Sequence, residues 1–204
     1  MDEDTGEVVS IDRNEVLLER DSIIKEEDWD YISFQQVSPQ AGILKSFEPY
    51  LASLLDMVKK NVKNKDVKYI LHQTWAYPLK SDHPDFYLYR SNQYIMYEAI
   101  VDAVSKAAKN TGIDIIVPSG TAIQNGRTSV VGDNFCRDGF HLNMGIGRYT
   151  ASCVWFEKLF GVSVIGNSFR LPTMSLYETL IAQYAAHYAV SQPKKITPVV
   201  ITNY

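Results

Sequence analysis

The chain has 204 residues, 46% of them hydrophobic and 22% charged, which suits one domain able to bury a core without disulfide or metal staples. A formal net charge of -4 and a pI near 5.6, with lysines and arginines scattered, argue against a nucleic-acid partner, which needs a concentrated basic face. The two cysteines, Cys136 and Cys153, are too few for a disulfide framework and show no CxxC spacing, and no apolar run is long enough to span a membrane.

In chain order, residues 6–12 alternate as a short strand does, and Asn14 is placed to cap a helix over 15–26. Residues 29–34 read as a strand running into Gln35-Gln36. Apolar positions Phe47, Leu51, Leu54, Leu55 and Val58 have helical spacing over 47–60. The lysines that follow (Lys59, Lys60, Lys63, Lys65, Lys68) read as a solvated helix end. A second strand is predicted at 67–72, then a long loop. A strong helix covers 93–110, with a stripe from Ile95 to Ala107 and Gly112 as its stop. A third strand covers 113–118. Residues 118–143, rich in Gly, Asn, Ser and Asp, read as a loop. Helices follow at 145–160, ending at Gly161, and at 175–190.

Helices alternating with nearly continuously apolar strands predict a three-layer α/β/α sandwich with a parallel sheet, flavodoxin-like in outline. In such sheets the site lies beyond the carboxyl ends of the strands. Here those ends carry Gln35-Gln36, His72-Gln73-Thr74-Trp75 and Pro118-Ser119-Gly120.

Asp138 and His141 stand three apart in the loop before the 145–160 helix. A serine hydrolase needs a base of near-neutral pKa and an acid that orients it, and an Asp-x-x-His step can place both on one turn. Alone, the string also fits an ordinary turn. Three blocks in order lend it context: Trp29-Asp30-Tyr31-Ile32-Ser33-Phe34-Gln35-Gln36-Val37-Ser38; Asp138-Gly139-Phe140-His141 followed by Gly147-Arg148-Tyr149; and Phe156-Glu157-Lys158-Leu159-Phe160-Gly161. Together they resemble a bacterial branch of the SGNH/GDSL hydrolases over about residues 25–190, one SGNH-type domain in all.

The resemblance implies an esterase acting on ester bonds through a Ser-His-Asp mechanism without a cofactor, with small-molecule or O-acetylated carbohydrate esters as substrates. His141 is then the general base and Asp138 its orienting acid, while Gln35 or Gln36 supplies the oxyanion donor. The family's nucleophile sits in a Gly-Asp/Asn-Ser turn after the first strand, and no such block precedes Gln35. The resemblance therefore implies an N-terminally incomplete domain, its first strand and nucleophile upstream of Met1. Localisation is left open: any export signal would lie upstream too, because Met1-Asp2-Glu3-Asp4 is acidic where a signal is basic. A missing first strand leaves a sheet edge through which the chain is expected to self-associate.

Ser168, in Val164-Ile165-Gly166-Asn167-Ser168, mimics the nucleophile turn, but Arg170-Leu171-Pro172 follows in place of a helix. Ser38 and Ser119, at strand ends, rank with it as minor candidates. His72 and Trp75 are either cleft walls or packing residues. Tyr77, Phe86, Tyr87 and Tyr89 suggest an aromatic lid or acyl-group wall, His83 an exposed residue, and His187 a satisfied helix histidine. No histidines or cysteines have metal-ligand spacing. The competing reading is a non-catalytic α/β module that binds a glycan or small molecule. A cofactor-binding flavodoxin relative is disfavoured by the lack of a phosphate-cradling Gly-rich turn.

Overall fold

The computed structural model describes residues 23–201. The expected strand at 6–12 and most of the expected helix at 15–26 lie outside them; residues 23–26 are helical. The elements are β1 (Tyr31–Phe34), α1 (Tyr50–Asn61), β2 (Lys68–His72), α2 (Gln93–Thr111), β3 (Ile115–Val117), α3 (Ser119–Arg127), α4 (Ile146–Phe160) and α5 (Leu176–Ser191). The strands form a parallel sheet in the order β1-β2-β3, with Phe34 opposite Leu71 and His72 opposite Val117. Helices cover both faces, giving a three-layer α/β/α sandwich.

Central strand β2 shows why there are two cores. Successive side chains point to opposite faces, and Ile70 (0% exposed) and Leu71 (1%) each enter a different one. Leu71 packs with α1 and α2 residues such as Leu55 and Ile100, whereas Ile70 packs with α3, α4 and α5 residues such as Ile123, Val154 and Ile181.

Three expectations need correction. First, β1 is not buried on both faces. Phe34 is buried, but Tyr31 and Ser33 are exposed, because the layer that covers Ile70 stops short of β1. Second, the first long helix begins at Tyr50. Phe47 ends a 3-10 turn at Leu44–Ser46, and Pro49, with no N–H to donate, stands at the helix N-cap. Phe47 still reaches the core.

Third, the expected loop at 118–143 begins with α3, every residue of which is buried. Its polar side chains find tertiary partners. Gln124 donates to Gln93 Oε1 at 3.1 Å, Asn125 donates to the Ala185 carbonyl at 3.2 Å, and Thr121 donates to the Pro193 carbonyl at 2.7 Å. Its glycines permit close approach: a Cβ on Gly126 would enter the Phe135 ring, and one on Gly120 would overlap the Thr74 carbonyl oxygen. Because backbone atoms at Thr74 cannot swing aside, Gly120→Ala is expected to destabilise the fold by about 1–3 kcal/mol or more. The check is a lower urea midpoint at an unchanged slope.

The other ends follow local chemistry. Asn92 caps α2 through bonds from the Tyr94 and Ile95 amides, and Gly112 closes it at φ 72°. Ser175 and Glu178 form a capping box on α5. Among the described residues no helix is long and apolar enough to cross a membrane.

Candidate functional site

The Asp-x-x-His string forms a tight turn pinned at its base. Cys136 bridges Leu142, and the Arg137 amide donates to the His141 carbonyl at 2.9 Å. Asp138 Oδ1 accepts the amides of Phe140 (2.9 Å) and His141 (2.6 Å), and its Oδ2 accepts His141 Nδ1 at 2.9 Å. Those two amides, with the imidazole, hold the Asp138 carboxyl well below the usual carboxylate range. The aspartate is thus ionised and fixes the Nδ1–H tautomer. His141 is exposed, and no described group hydrogen-bonds its Nε2. A base so oriented can accept a proton from a hydroxyl presented to Nε2.

Two contacts hold this turn on the sheet. Trp75, just past β2, donates Nε1–H to the Phe140 carbonyl at 2.7 Å, and Ser81 donates to the Gly139 carbonyl at 2.6 Å. Beneath the loop, Arg127 at the end of α3 meets Asp133 at 2.7 Å, an ion-pair contact rather than an aligned hydrogen bond. Asp133 also accepts Gln93 Nε2 (3.0 Å) and the Leu79 amide (2.6 Å).

The two glutamines after β1 part company. Gln36 is spent, donating to the Ser46 carbonyl (2.9 Å) and hydroxyl (3.0 Å) while accepting the Val37 amide (2.8 Å). Gln35 is exposed, and its Oε1 lies 2.6 Å from His72 Nδ1. His72 Nε2 in turn lies 2.8 Å from the hydroxyl of Ser119 at the start of α3. So Gln35, His72 and Ser119, at the carboxyl ends of all three strands, form one chain. It abuts the Asp138–His141 turn through Trp75, whose ring contacts His72 at 6.5 Å. Sequence spacing held no sign of this chain, since its members lie 37 and 47 residues apart.

The other candidates scatter. Ser168 sits in an exposed loop and bonds neither Asp138 nor His141; the Asn167 side chain caps the Phe169 amide and no helix starts until Leu176. Ser38 pairs with Tyr77 at 3.0 Å. The aromatic lid is corrected: Tyr77, Phe86 and Tyr89 are buried core and only Tyr87 is exposed. His83 is half-buried rather than solvent-facing, tilted against the Tyr77 ring and edge-on to Phe140. His187 donates to buried Glu157 at 2.7 Å. Both cysteines are free, and burial pushes Cys136 to about 11 and Cys153 to about 12, so both are neutral thiols at pH 7. No group of three or more His, Cys, Asp or Glu suited to a metal occurs among the described residues.

Of two cavities, one adjoins the turn. One of about 520 Å3, lined by polar and charged groups including Lys80, Asp82, Asn134 and Asp138, lies beside the dyad. Another, of about 550 Å3 and mainly apolar, lies along α4 between Met144, Phe156 and Phe169.

His72 yields a measurable consequence. Walled in by Trp155 (5.1 Å between rings) and Trp75, it is pushed from 6.5 to about 4 by burial. The unfolded chain therefore binds more protons than the folded one between those values. Stability is complete above about pH 6.5 and falls as pH drops toward 4, by up to about 3 kcal/mol. Urea midpoints at pH 7 and pH 4.5 should separate, and the separation should shrink in His72→Gln. An equal separation in that variant would contradict the assignment.

A family model described as a domain of unknown function, DUF4886, matches residues 8–189. The crystal structure of a DUF4886 family protein from Bacteroides uniformis ATCC 8492 superposes with a TM-score of 0.86 at 44% identity, over 88% of this chain and 69% of that one. A 28-residue stretch, 14% of this chain, is 96% identical to the DNA-directed RNA polymerase subunit beta of Cytophaga hutchinsonii. It spans 2% of that subunit's length, and no activity is carried over from it.

Proposed function

The chain belongs to the DUF4886 family, and we propose that it carries the acid–base half of an SGNH-type serine esterase, with O-acetylated carbohydrate as substrate class. The observation that carries this reading is the exposed His141, its Nδ1–H held by Asp138 at 2.9 Å and its Nε2 open. On this reading Nε2 takes the proton of a serine hydroxyl as the oxygen attacks the ester carbonyl. It then protonates the leaving alcohol, and water releases the acyl group by the reverse sequence. Asp138 stabilises the imidazolium, and Gln35 donates to the oxyanion. The polar cavity beside Asp138 suits the hydroxyls of a sugar.

The test joins a βα unit bearing a Gly-Asn-Ser turn ahead of β1 and follows p-nitrophenyl acetate hydrolysis. Turnover is expected, lost in His141→Ala and kept in Ser168→Ala. No turnover, or turnover indifferent to His141, would sink the reading; loss in Ser168→Ala would move the nucleophile to that loop. The second reading, a non-catalytic glycan-binding module, is favoured by the lack of any described hydroxyl on His141 Nε2. It predicts calorimetric binding of acetylated oligosaccharide with no turnover in either chain.

Self-association through β1 belongs to the same reading. Among the described strands β1 pairs only with β2, and Tyr31 and Ser33 face outward. Light scattering should show a concentration-dependent dimer; a monodisperse monomer at high concentration would refute it.

A further inference from the structure

We propose that Ser119 and His72 are positioning residues that set the polarity of Gln35, holding its amide oxygen inward and its two N–H groups outward as the oxyanion donor. The function of those N–H groups rests on the esterase reading; the polarity does not.

The argument starts from one buried proton. Ser119 is fully buried, and the only hydrogen-bond partner its hydroxyl has among the described residues is His72 Nε2 at 2.8 Å. A buried hydroxyl hydrogen left without an acceptor costs about 1–3 kcal/mol, so it is given to that nitrogen. His72 Nε2 is then the acceptor, and the ring, neutral in its apolar walls, carries its proton on Nδ1. An Nδ1–H can be received by an amide oxygen and not by an amide nitrogen. The 2.6 Å contact therefore belongs to Gln35 Oε1, and this settles which way the amide is turned. Run the other way, the array would have Gln35 N–H donating to Nδ1 and Nε2–H donating to Ser119, and the serine proton would be stranded.

Gln35 thus presents two N–H donors with no partner among the described residues, next to the ring pair that leads through Trp75 to Phe140 and His141. Gln36, three of whose hydrogen bonds are internal, has no such freedom. A donor held in one orientation before the oxyanion forms needs no reorganisation during the reaction, which is what makes such donors effective.

The 15N-labelled 204-residue chain provides the first test. Long-range proton–nitrogen spectra at pH 7 should show His72 as the Nδ1–H tautomer. Gln35→Ala should leave that tautomer in place, because Ser119 still donates to Nε2. Ser119→Ala removes the donor to Nε2 and should move the Nε2 and Gln35 side-chain amide signals, and Ser119→Thr, which restores a hydroxyl, should bring both back. An Nε2–H ring in the unsubstituted chain overturns the proposal, whether or not the serine variants fold.

The second test uses the nucleophile-bearing chain. Gln35→Ala should lower kcat by about 10²–10³-fold at little changed KM, and Ser119→Ala should lower it by less, with no further loss when the two are combined. A correct tautomer with kcat indifferent to Gln35 would leave the relay standing and remove Gln35 from the oxyanion. Additive losses would overturn the relay instead.

Discussion

In the nucleophile-bearing chain, His141→Ala is expected to lower ester turnover by about 10⁶-fold and Asp138→Asn by about 10⁴-fold, with the double variant scarcely worse than His141→Ala alone. The asymmetry follows from the turn. On the esterase reading His141 moves the proton, so nothing replaces it. Asp138 only holds the ring, and two of its three bonds run to backbone amides that an asparagine oxygen still accepts. What asparagine loses is the carboxylate on Nδ1. The ring can then turn over or change tautomer, and the forming imidazolium loses its counter-charge. Because those bonds keep the Asp138 pKa below its ordinary range, the aspartate remains ionised through mildly acid solution. Both residues are exposed, so neither substitution should move the unfolding midpoint much. Loss of turnover with loss of fold would mean that the turn is structural.

The largest effect on stability is expected at Arg127 and Asp133. The Arg127 side chain is 4% exposed and donates to the Ala76 carbonyl (3.0 Å) and Gln124 (3.1 Å) in addition to its contact with Asp133. Removing Asp133 strands the buried guanidinium, at a cost of about 3–5 kcal/mol, whereas removing Arg127 leaves Asp133 partly exposed with two N–H donors and costs less. Arg127→Met and Asp133→Ala should each lower the urea midpoint accordingly, and the double variant should recover part of the loss, because no buried charge is left alone. Asp133→Ala has a second consequence. It frees the Leu79 amide, so the 78–83 loop loses a tie, while Gln93 Nε2 keeps its bond to the Tyr77 carbonyl. Proteolysis should become faster in that loop for Asp133→Ala but not for Gly120→Ala, although both lower global stability. Equal loop sensitivity in the two variants would contradict the tie.

How much was legible depended on how far each interaction reaches along the chain. Asp138 and His141 bond across three residues, so their spacing carries their geometry. The same holds for the Asn92 and Ser175 caps and for Gly112 and Gly161, whose left-handed conformations end α2 and α4. The parallel sense and three-layer architecture follow from strands alternating with long amphipathic helices. Helix α3 was illegible because its cause is tertiary. Ser-Gly-Thr-Ala-Ile-Gln-Asn-Gly-Arg has poor helix propensity and no apolar stripe, and only partners on α2, α5 and the 193–197 segment make its polar groups affordable inside. The aromatic residues of the 76–92 loop misled for a like reason, since side-chain type does not say whether a loop folds under itself.

The amino-acid sequence by itself determined the α/β/α order, the helix ends and the Asp138–His141 turn, because hydrophobic period, capping and a three-residue step are local properties. The tertiary structure decided which glutamine stays free, that Ser119 and His72 stand behind it, that Asp133 ties Leu79 and Gln93, and that β1 is half uncovered. Each of these depends on groups tens of residues apart meeting at the carboxyl ends of the strands, where the free energy of a buried proton or charge, not its place in the chain, selects the partner.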